Sequence, residues 1–349
     1  MATFSKLLIE KGVTKNTHGQ KIVENFKKMF SVENIFEIEN YEDIFQSFYK
    51  PYLEKRNNLN IFLAQKKGQL LKETPDAYGG GKIKRYYFIH AYNCIYECNY
   101  CYLQGFFKSP DIVLFINHEE ILNEMEKIIK QYSPTKDNPI WFHAGEFSDS
   151  LALSHLTQEL PLYFNFFKSH PHAYLELRTK SSNISELLKL APLDNVVTSF
   201  SLSPKQQILA NDFRTPTLAA RLSAMNSLKQ KGFPLGLHLD PVIYSPQLKE
   251  EYTQLCREIT DHLPLCYFNY ISIGVVRFTK EVYEKVKEHY PSASFLNQDL
   301  MTKSFDNKYR AIMPLRKHIL NTVYQSCLEN GAKKESIYFC MEEESTPSY

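Results

Sequence analysis

Asn93-Cys94-Ile95-Tyr96-Glu97-Cys98-Asn99-Tyr100-Cys101-Tyr102-Leu103-Gln104 is the stretch that decides how this chain is read. Its cysteines are spaced C-x3-C-x2-C. Three thiolates this close can wrap one cubane [4Fe–4S] cluster, which has four irons and ordinarily takes four cysteines. A triad with no fourth cysteine in the loop leaves one iron open. An open iron on a reducible cluster can bind and cleave a small molecule, and S-adenosylmethionine (SAM) is the usual one. Zinc would want four closed ligands, usually as two pairs, and neither His90 nor His118 stands at a customary finger spacing. Disulfides suit short, secreted, cysteine-dense chains, whereas this one has 7 cysteines in 349 residues and opens without an apolar leader.

The composition is that of a globular protein, with 43% hydrophobic and 14% aromatic residues and a net charge of +2. No apolar run approaches the ~20 residues of a spanning helix, so no membrane partner is expected. An oxygen-sensitive cluster agrees with a cytoplasmic location. The charge balance permits nucleic-acid binding without arguing for it. Local basic groups stand at Lys82, Lys84 and Arg85 before the cluster loop and at Lys308, Arg310, Arg316 and Lys317 near the end.

Residues 1–80 read as a mainly helical N-terminal region, closed by Gly79-Gly80-Gly81. An alternating pattern then begins. Arg85–His90, Pro139–His143, Tyr174–Thr179, Asn195–Phe200, Leu235–Leu239 and Tyr270–Val275 read as strands. Helical spacing falls between them, at Glu120–Gln131, Leu151–Lys168, Ile184–Leu190, Pro216–Lys231 and Leu248–His262, with another helix over Lys280–His289. Six strand–helix units in series imply a parallel α/β sheet with right-handed crossovers, either a doubly wound sheet or a partial (βα)6 TIM-type barrel over residues 81–300. Residues 301–349 form a small C-terminal extension, with a helix over Leu315–Asn330 and a strand at Ile337–Phe339, packed on the barrel.

In α/β barrels the chemistry sits at the carboxyl ends of the strands. Those ends carry, in order, the three cysteines, then Gly145-Glu146-Phe147-Ser148-Asp149, Lys180, Ser201, the pair His238 and Asp240, and Arg277. Ser148 or Asp149 also suits a helix N-cap. Lys180 has the charge to meet the carboxylate of SAM, and Ser201 can meet a hydroxyl or carboxylate. His238, Asp240, Arg277 and Arg310 are the candidates for contact with substrate.

The cysteine spacing resembles the signature of radical SAM enzymes, and that resemblance favours the partial barrel. It implies reductive cleavage of SAM to a 5′-deoxyadenosyl radical, with electrons from a reductant such as flavodoxin or ferredoxin. Gly145-Glu146 resembles the end of the Gly-Gly-Glu element that holds the SAM amino group, so Tyr100, Glu146, Ser148, Lys180 and Ser201 form the expected cofactor site. The longer run Cys98–Gln104 looks like the spore photoproduct lyase family, and short segments agree in order: Ser148-Asp149, Thr179-Lys180, Phe200-Ser201, Gly232–Gly236, Tyr309–Arg316 and Tyr338–Glu342. This resemblance implies repair of a thymine photoproduct in DNA, with Tyr100 and Tyr102 relaying hydrogen and a cysteine just before Ser148-Asp149 as the donor. Glu146 and Phe147 stand there instead, and no cysteine occurs between Cys101 and Cys256. Cys340 is the remaining thiol expected near the barrel mouth. Radical chemistry on a small molecule, peptide or protein stays open as an alternative, as does a redox-sensing Fe–S protein without SAM cleavage.

Overall fold

The computed structural model describes residues 4–15, 17–75, 83–296, 300–304 and 306–342. All six expected strands lie in one curled sheet of eight. Lys84–Phe88, Ile140–Ala144, Ala173–Thr179, Val196–Ser201, Leu235–Val242 and Ile271–Val275 are parallel neighbours in chain order. Ile337–Phe339 extends the sheet in parallel past Ile271–Val275, and Leu71–Glu73 closes the other edge antiparallel to Lys84–Phe88. Side chains alternate across a strand. One parity (Phe142, Leu175, Leu177, Phe200, Leu237, Ile273) joins the apolar core with the helices His118–Tyr132, Leu160–Lys168, Leu218–Gln230, Leu248–Thr260 and Met313–Glu329. Each such Leu, Ile or Phe contributes about 1.5–3 kcal/mol on burial.

The other parity lines the half-barrel's interior and is polar. Glu176 is the hub. It accepts hydrogen bonds from Ser199 Oγ at 2.6 Å and His238 Nε2 at 2.6 Å, and further ones from His143 and the Tyr270 hydroxyl. These donors, with His238 and His143 the largest among them, outweigh burial and hold the Glu176 carboxyl well below its ordinary range. Gly236 makes room for this layer, since a Cβ there would stand 2.6 Å from the Tyr270 ring.

The N-terminal region is not mainly helical. It builds a second sheet in the order Ile35–Ile38, Phe4–Glu10, Leu59–Ala64, Ile112–Phe115, Ala91–Tyr92, parallel except at the last pair. Among its described residues the one α-helix is Thr17–Lys27, with short 3-10 turns besides. The runs Leu7-Leu8-Ile9 and Ile61-Phe62-Leu63 are apolar on both parities, so period alone cannot tell such a strand from a buried helix. Both faces are in fact covered. Leu7, Ile9, Ile61 and Leu63 pack with the helix residues Ile22 and Phe26. Leu8, Phe62 and Phe115 pack with Tyr41, Phe45 and the side of the cysteine loop. The sheet takes strands from both sides of residue 80, so the cysteine loop hangs between the two sheets. The triple glycine expected as a boundary, and Lys82, lie outside the described residues.

The expected helix Leu151–Lys168 is two pieces, Ser154–Thr157 and Leu160–Lys168, parted where Gln158 turns left-handed at φ 51°. Ile184–Leu190 keeps only a 3-10 turn at Leu187–Lys189. The C-terminal residues knit into the barrel: Met301–Lys303 and Tyr309–Ala311 form a hairpin against Arg277–Phe278.

Candidate active site

The cysteine loop has little regular structure, and buried side chains satisfy its backbone. Asn93 adopts φ 62°, a left-handed conformation that asparagine tolerates, and donates from Nδ2 to Ser109 O at 2.8 Å and Asp111 O at 2.7 Å. Glu97–Cys98 pairs antiparallel with Asp212–Phe213. Gln104 Nε2 donates to Asn99 O at 2.7 Å and Cys98 O at 3.1 Å. Lys55 Nζ donates to Cys94 O at 2.7 Å and Tyr96 O at 2.6 Å. Held in this way, all three thiols line one pocket of about 250 Å³ at the carboxyl ends of the barrel strands.

Burial pushes the Cys94 thiol up to about 12, with Asp149 adding to the rise and Lys55 opposing it. Burial raises Cys98 and Cys101 too, against the nearby Lys180 ammonium. A coordinating metal deprotonates such thiols outright. Among the described residues no three His, Cys, Asp or Glu side chains converge on a single ion. A cubane takes its thiolates on separate irons, so it needs them spread around one space rather than converged. The donor set and its buried cations therefore fit a [4Fe–4S] cluster.

The same pocket gathers most of the other expected residues: Tyr100, Tyr102, Glu146, Ser148, Lys180, Ser201, Asp240 and Arg277 all line it. The Tyr100 hydroxyl donates to Asp212, whose carboxylate is held by buried Arg221 at 3.2 Å; Arg221 also reaches Ser201 O at 3.0 Å. Lys180 Nζ lies 5.5 Å from the centre of the Tyr100 ring. The Tyr102 hydroxyl donates to Glu146 O. Neither Ser148 nor Asp149 is a helix N-cap, since Leu153 holds that position before Ser154–Thr157; Asp149 instead closes the turn that follows it. It accepts from the backbone N–H groups of Leu151 at 3.0 Å and Ala152 at 2.9 Å, and it also ties down Thr179 Oγ1 and Lys180 N, each at 2.7 Å. Its neighbour Ser148 is left at the pocket wall.

Asp240 and Arg277 form the pocket floor as a pair, Nη1–Oδ1 3.1 Å and Nη2–Oδ2 3.2 Å, with Arg178 at 3.6 Å. Arg277, then Arg178, hold the Asp240 carboxyl far below its ordinary range against its burial. Burial raises Glu146, while Arg178, His143, Arg277 and Lys308 oppose that rise.

Two expected substrate residues do not line this pocket. His238 sits one layer deeper in the barrel, bonded to Glu176. Arg310 is fully buried, pairs with Asp306 and Glu342, and donates to Met341 O at 2.7 Å. Lys84 pairs with Glu73, and Arg85 lies over Trp141 with 5.6 Å to the ring centre. Asp212, Arg221, Arg178 and Lys55 escaped the sequence reading because their partners are distant in the chain and no local motif marks them.

The family model for spore photoproduct lyase matches residues 80–326, most of the chain and every residue that lines this pocket. The chain belongs to the spore photoproduct lyase family. It is 29% identical over 206 residues to spore photoproduct lyase of Bacillus subtilis, covering 58% of this chain and 59% of that one. It is 27% identical over 206 residues to the enzyme of a Geobacillus species, again over 58% and 59% of the two chains. The matched region thus spans about 59% of the length of these curated relatives. Among solved structures, spore photoproduct lyase complexed with a dinucleoside spore photoproduct superposes with a TM-score of 0.82 at 19% identity, over 97% of this chain and 99% of that one. A mutant of the same enzyme with bound AdoMet and dinucleoside spore photoproduct gives 0.80 at 18% identity, over 97% and 98%. These two likenesses show the fold, an α/β half-barrel shared with spore photoproduct lyase.

Measured against this family, the site departs at the residues before Ser148. Gly145, at φ 90°, turns the chain so that Glu146 lines the pocket. Phe147 turns away and is buried against Tyr87, Tyr92, Tyr102 and Phe106. Glu146 and Phe147 thus stand just before Ser148, where the family resemblance expects a thiol. Cys340 is buried behind Arg277, its Sγ 3.7 Å from Nη2, and does not line the pocket. Cys256 and Cys327 meet between two helices with sulfurs 4.0 Å apart, and Cys266 is exposed on the surface.

Proposed function

We propose that this chain is a radical SAM enzyme that acts on a pyrimidine photoproduct in DNA. The observation that carries the reading is the shared pocket: three thiols and the charged strand ends line one space, and three cysteine ligands on a four-iron cluster would leave one iron open. Cys94, Cys98 and Cys101 would hold the [4Fe–4S] cluster. Bound and reduced, cluster and SAM together supply the 5′-deoxyadenosyl radical that takes hydrogen from substrate. An electron donor of the flavodoxin or ferredoxin type and a reducing, cytoplasmic setting follow from that requirement.

The chain's own residues then bind and orient. Lys180 meets the SAM carboxylate, with Ser148 and Ser201 as hydroxyl partners and Glu146 for the amino group. Arg221 fixes Asp212, and Asp212 fixes the Tyr100 hydroxyl. This keeps the ring against the Lys180 ammonium and the pocket wall. Tyr102 is fixed through the Glu146 carbonyl. The Arg178–Asp240–Arg277 floor presents a rigid cationic edge to the incoming base, which must leave the duplex stack to reach it. With a carboxyl at Glu146 and no pocket-lining thiol beyond the three cysteines among the described residues, hydrogen would return to the substrate through Tyr100 or Tyr102, from SAM-derived 5′-deoxyadenosine, or from an external reductant.

Anaerobic reconstitution should give about four irons per chain, and the reduced protein should release 5′-deoxyadenosine from SAM. A dinucleoside spore photoproduct should revert to two thymines. Absence of iron uptake, or full uptake in Cys98→Ala, refutes the cluster. SAM cleavage without lesion reversal refutes the substrate and returns attention to small molecules and peptides.

A further inference from the structure

Lys55 lies in the 3-10 stretch Tyr52–Arg56, outside the residues matched by the family model. Its side chain is only 1% exposed. Two of its ammonium protons go to the carbonyls of Cys94 and Tyr96, and Nζ lies 4.8 Å from the centre of the Tyr52 ring. Among the described residues no carboxylate pairs with it. The nearby Glu97 is already engaged by Arg56, with Nε 3.0 Å from both oxygens, and by the Tyr290 hydroxyl at 2.8 Å. The backbone that carries Lys55 is pinned as well. Arg214 Nη1 donates to Lys55 O at 3.1 Å, and Tyr52 stacks on His289 at 5.7 Å.

A buried ammonium with only carbonyl dipoles around it is costly unless an anion stands close by. Glu97 adds a nearby negative charge but is held by Arg56; the further anion this environment would suit is the cluster with its three thiolates, whose negative charge would grow by one electron on reduction. We infer that Lys55 is a positioning residue for the cluster: a fixed cation, carried by the 3-10 stretch Tyr52–Arg56 against the cysteine loop, that makes the cluster easier to reduce. This rests on the cluster reading above. It also assigns a purpose to the 3-10 stretch that leads into the strand Leu59–Ala64. A unit charge held in a low-dielectric site acts on its neighbours far more strongly than one in water, and net charge is among the factors that set the potentials of such clusters.

The test is a redox titration of the reconstituted protein followed by electron paramagnetic resonance, with iron and sulfide counted on every sample. Lys55→Met keeps the length of the side chain and removes the charge. At the potential where wild type is half reduced, its ratio of reduced to oxidised cluster should fall at least about tenfold, a shift of about 59 mV for a one-electron couple. Lys55→Arg should stay near wild type. If Lys55→Met folds poorly, Lys55→Gln against Lys55→Arg makes the same comparison of charge removed and charge kept. A fully loaded neutral variant with the wild-type potential overturns the role of Lys55 alone, because a merely structural lysine would move thermal stability and not the potential. Wild-type protein that takes up no iron overturns the cluster reading, and the role of Lys55 with it.

Discussion

Gly274→Ala tests whether the pocket floor is as rigid as its contacts require. Gly274 lies on the strand Ile271–Val275 and faces the barrel interior. An added Cβ would stand 2.8 Å from Asp240 Cγ and 2.9 Å from each carboxylate oxygen, closer than real Cβ contacts come. Asp240 cannot swing aside without loosening two hydrogen bonds to Arg277, at 3.1 and 3.2 Å, and the approach of Arg178 at 3.6 Å. Overpacking of this kind costs about 1–3 kcal/mol, and each charge-assisted hydrogen bond that is lost adds about 1.5–3. Against that, alanine recovers about 0.5–1 kcal/mol over glycine within a strand. A net loss of about 2 kcal/mol is expected, seen as a lower urea midpoint at unchanged slope. Asp240→Ala alone should cost about 1.5–3 kcal/mol, because it removes the carboxylate that accepts the charge-assisted hydrogen bonds of Arg277. In that background Gly274→Ala has nothing to strike, so the double mutant should show a coupling of at least about 1 kcal/mol. Wild-type stability in Gly274→Ala, or simple additivity in the cycle, refutes the reasoning.

Three further outcomes are expected. Lys180→Ala should weaken SAM binding by about 1.5–3 kcal/mol at full iron content, measured by calorimetry under anaerobic conditions; equal affinity would make Lys180 an ordinary loop residue. Burial pushes the Glu159 carboxyl from 4.5 up to about 7, so its contribution to stability is present below about pH 4.5 and is lost as pH rises through about 7, on the order of 3 kcal/mol at 1.36 kcal/mol per unit. The stability of Glu159→Gln relative to wild type should therefore rise by that amount between about pH 4.5 and pH 8, and a difference independent of pH would show that Glu159 is not buried as described. Cys340→Ala should leave SAM cleavage and lesion reversal intact, since the thiol stands behind Arg277 and off the pocket wall; loss of reversal with SAM cleavage preserved would instead make Cys340 the hydrogen donor.

What the sequence determined by itself was local. The ligand spacing Cys94, Cys98, Cys101 is a property of eight residues, and the alternation within each barrel strand is a property of five to eight. Both follow from chain geometry, so the cysteine loop, the six parallel strands and the polar strand ends were legible. Tertiary structure decided whatever depended on pairing across the chain. The apolar runs Leu7–Ile9 and Ile61–Leu63 became strands because helix Thr17–Lys27 and the cysteine loop cover their two faces, which no window of sequence displays. Tyr100 is oriented by Asp212, 112 positions away, and His238 and Glu176 are 62 apart. Burial likewise sorted look-alikes: Arg277 lines the pocket while Arg310 is sealed behind Asp306 and Glu342. Lys55 reads as one more lysine in a charged run until the fold places it under Cys94. A charge acquires a role only from the dielectric and the partners around it, and those are set by distant segments meeting in space.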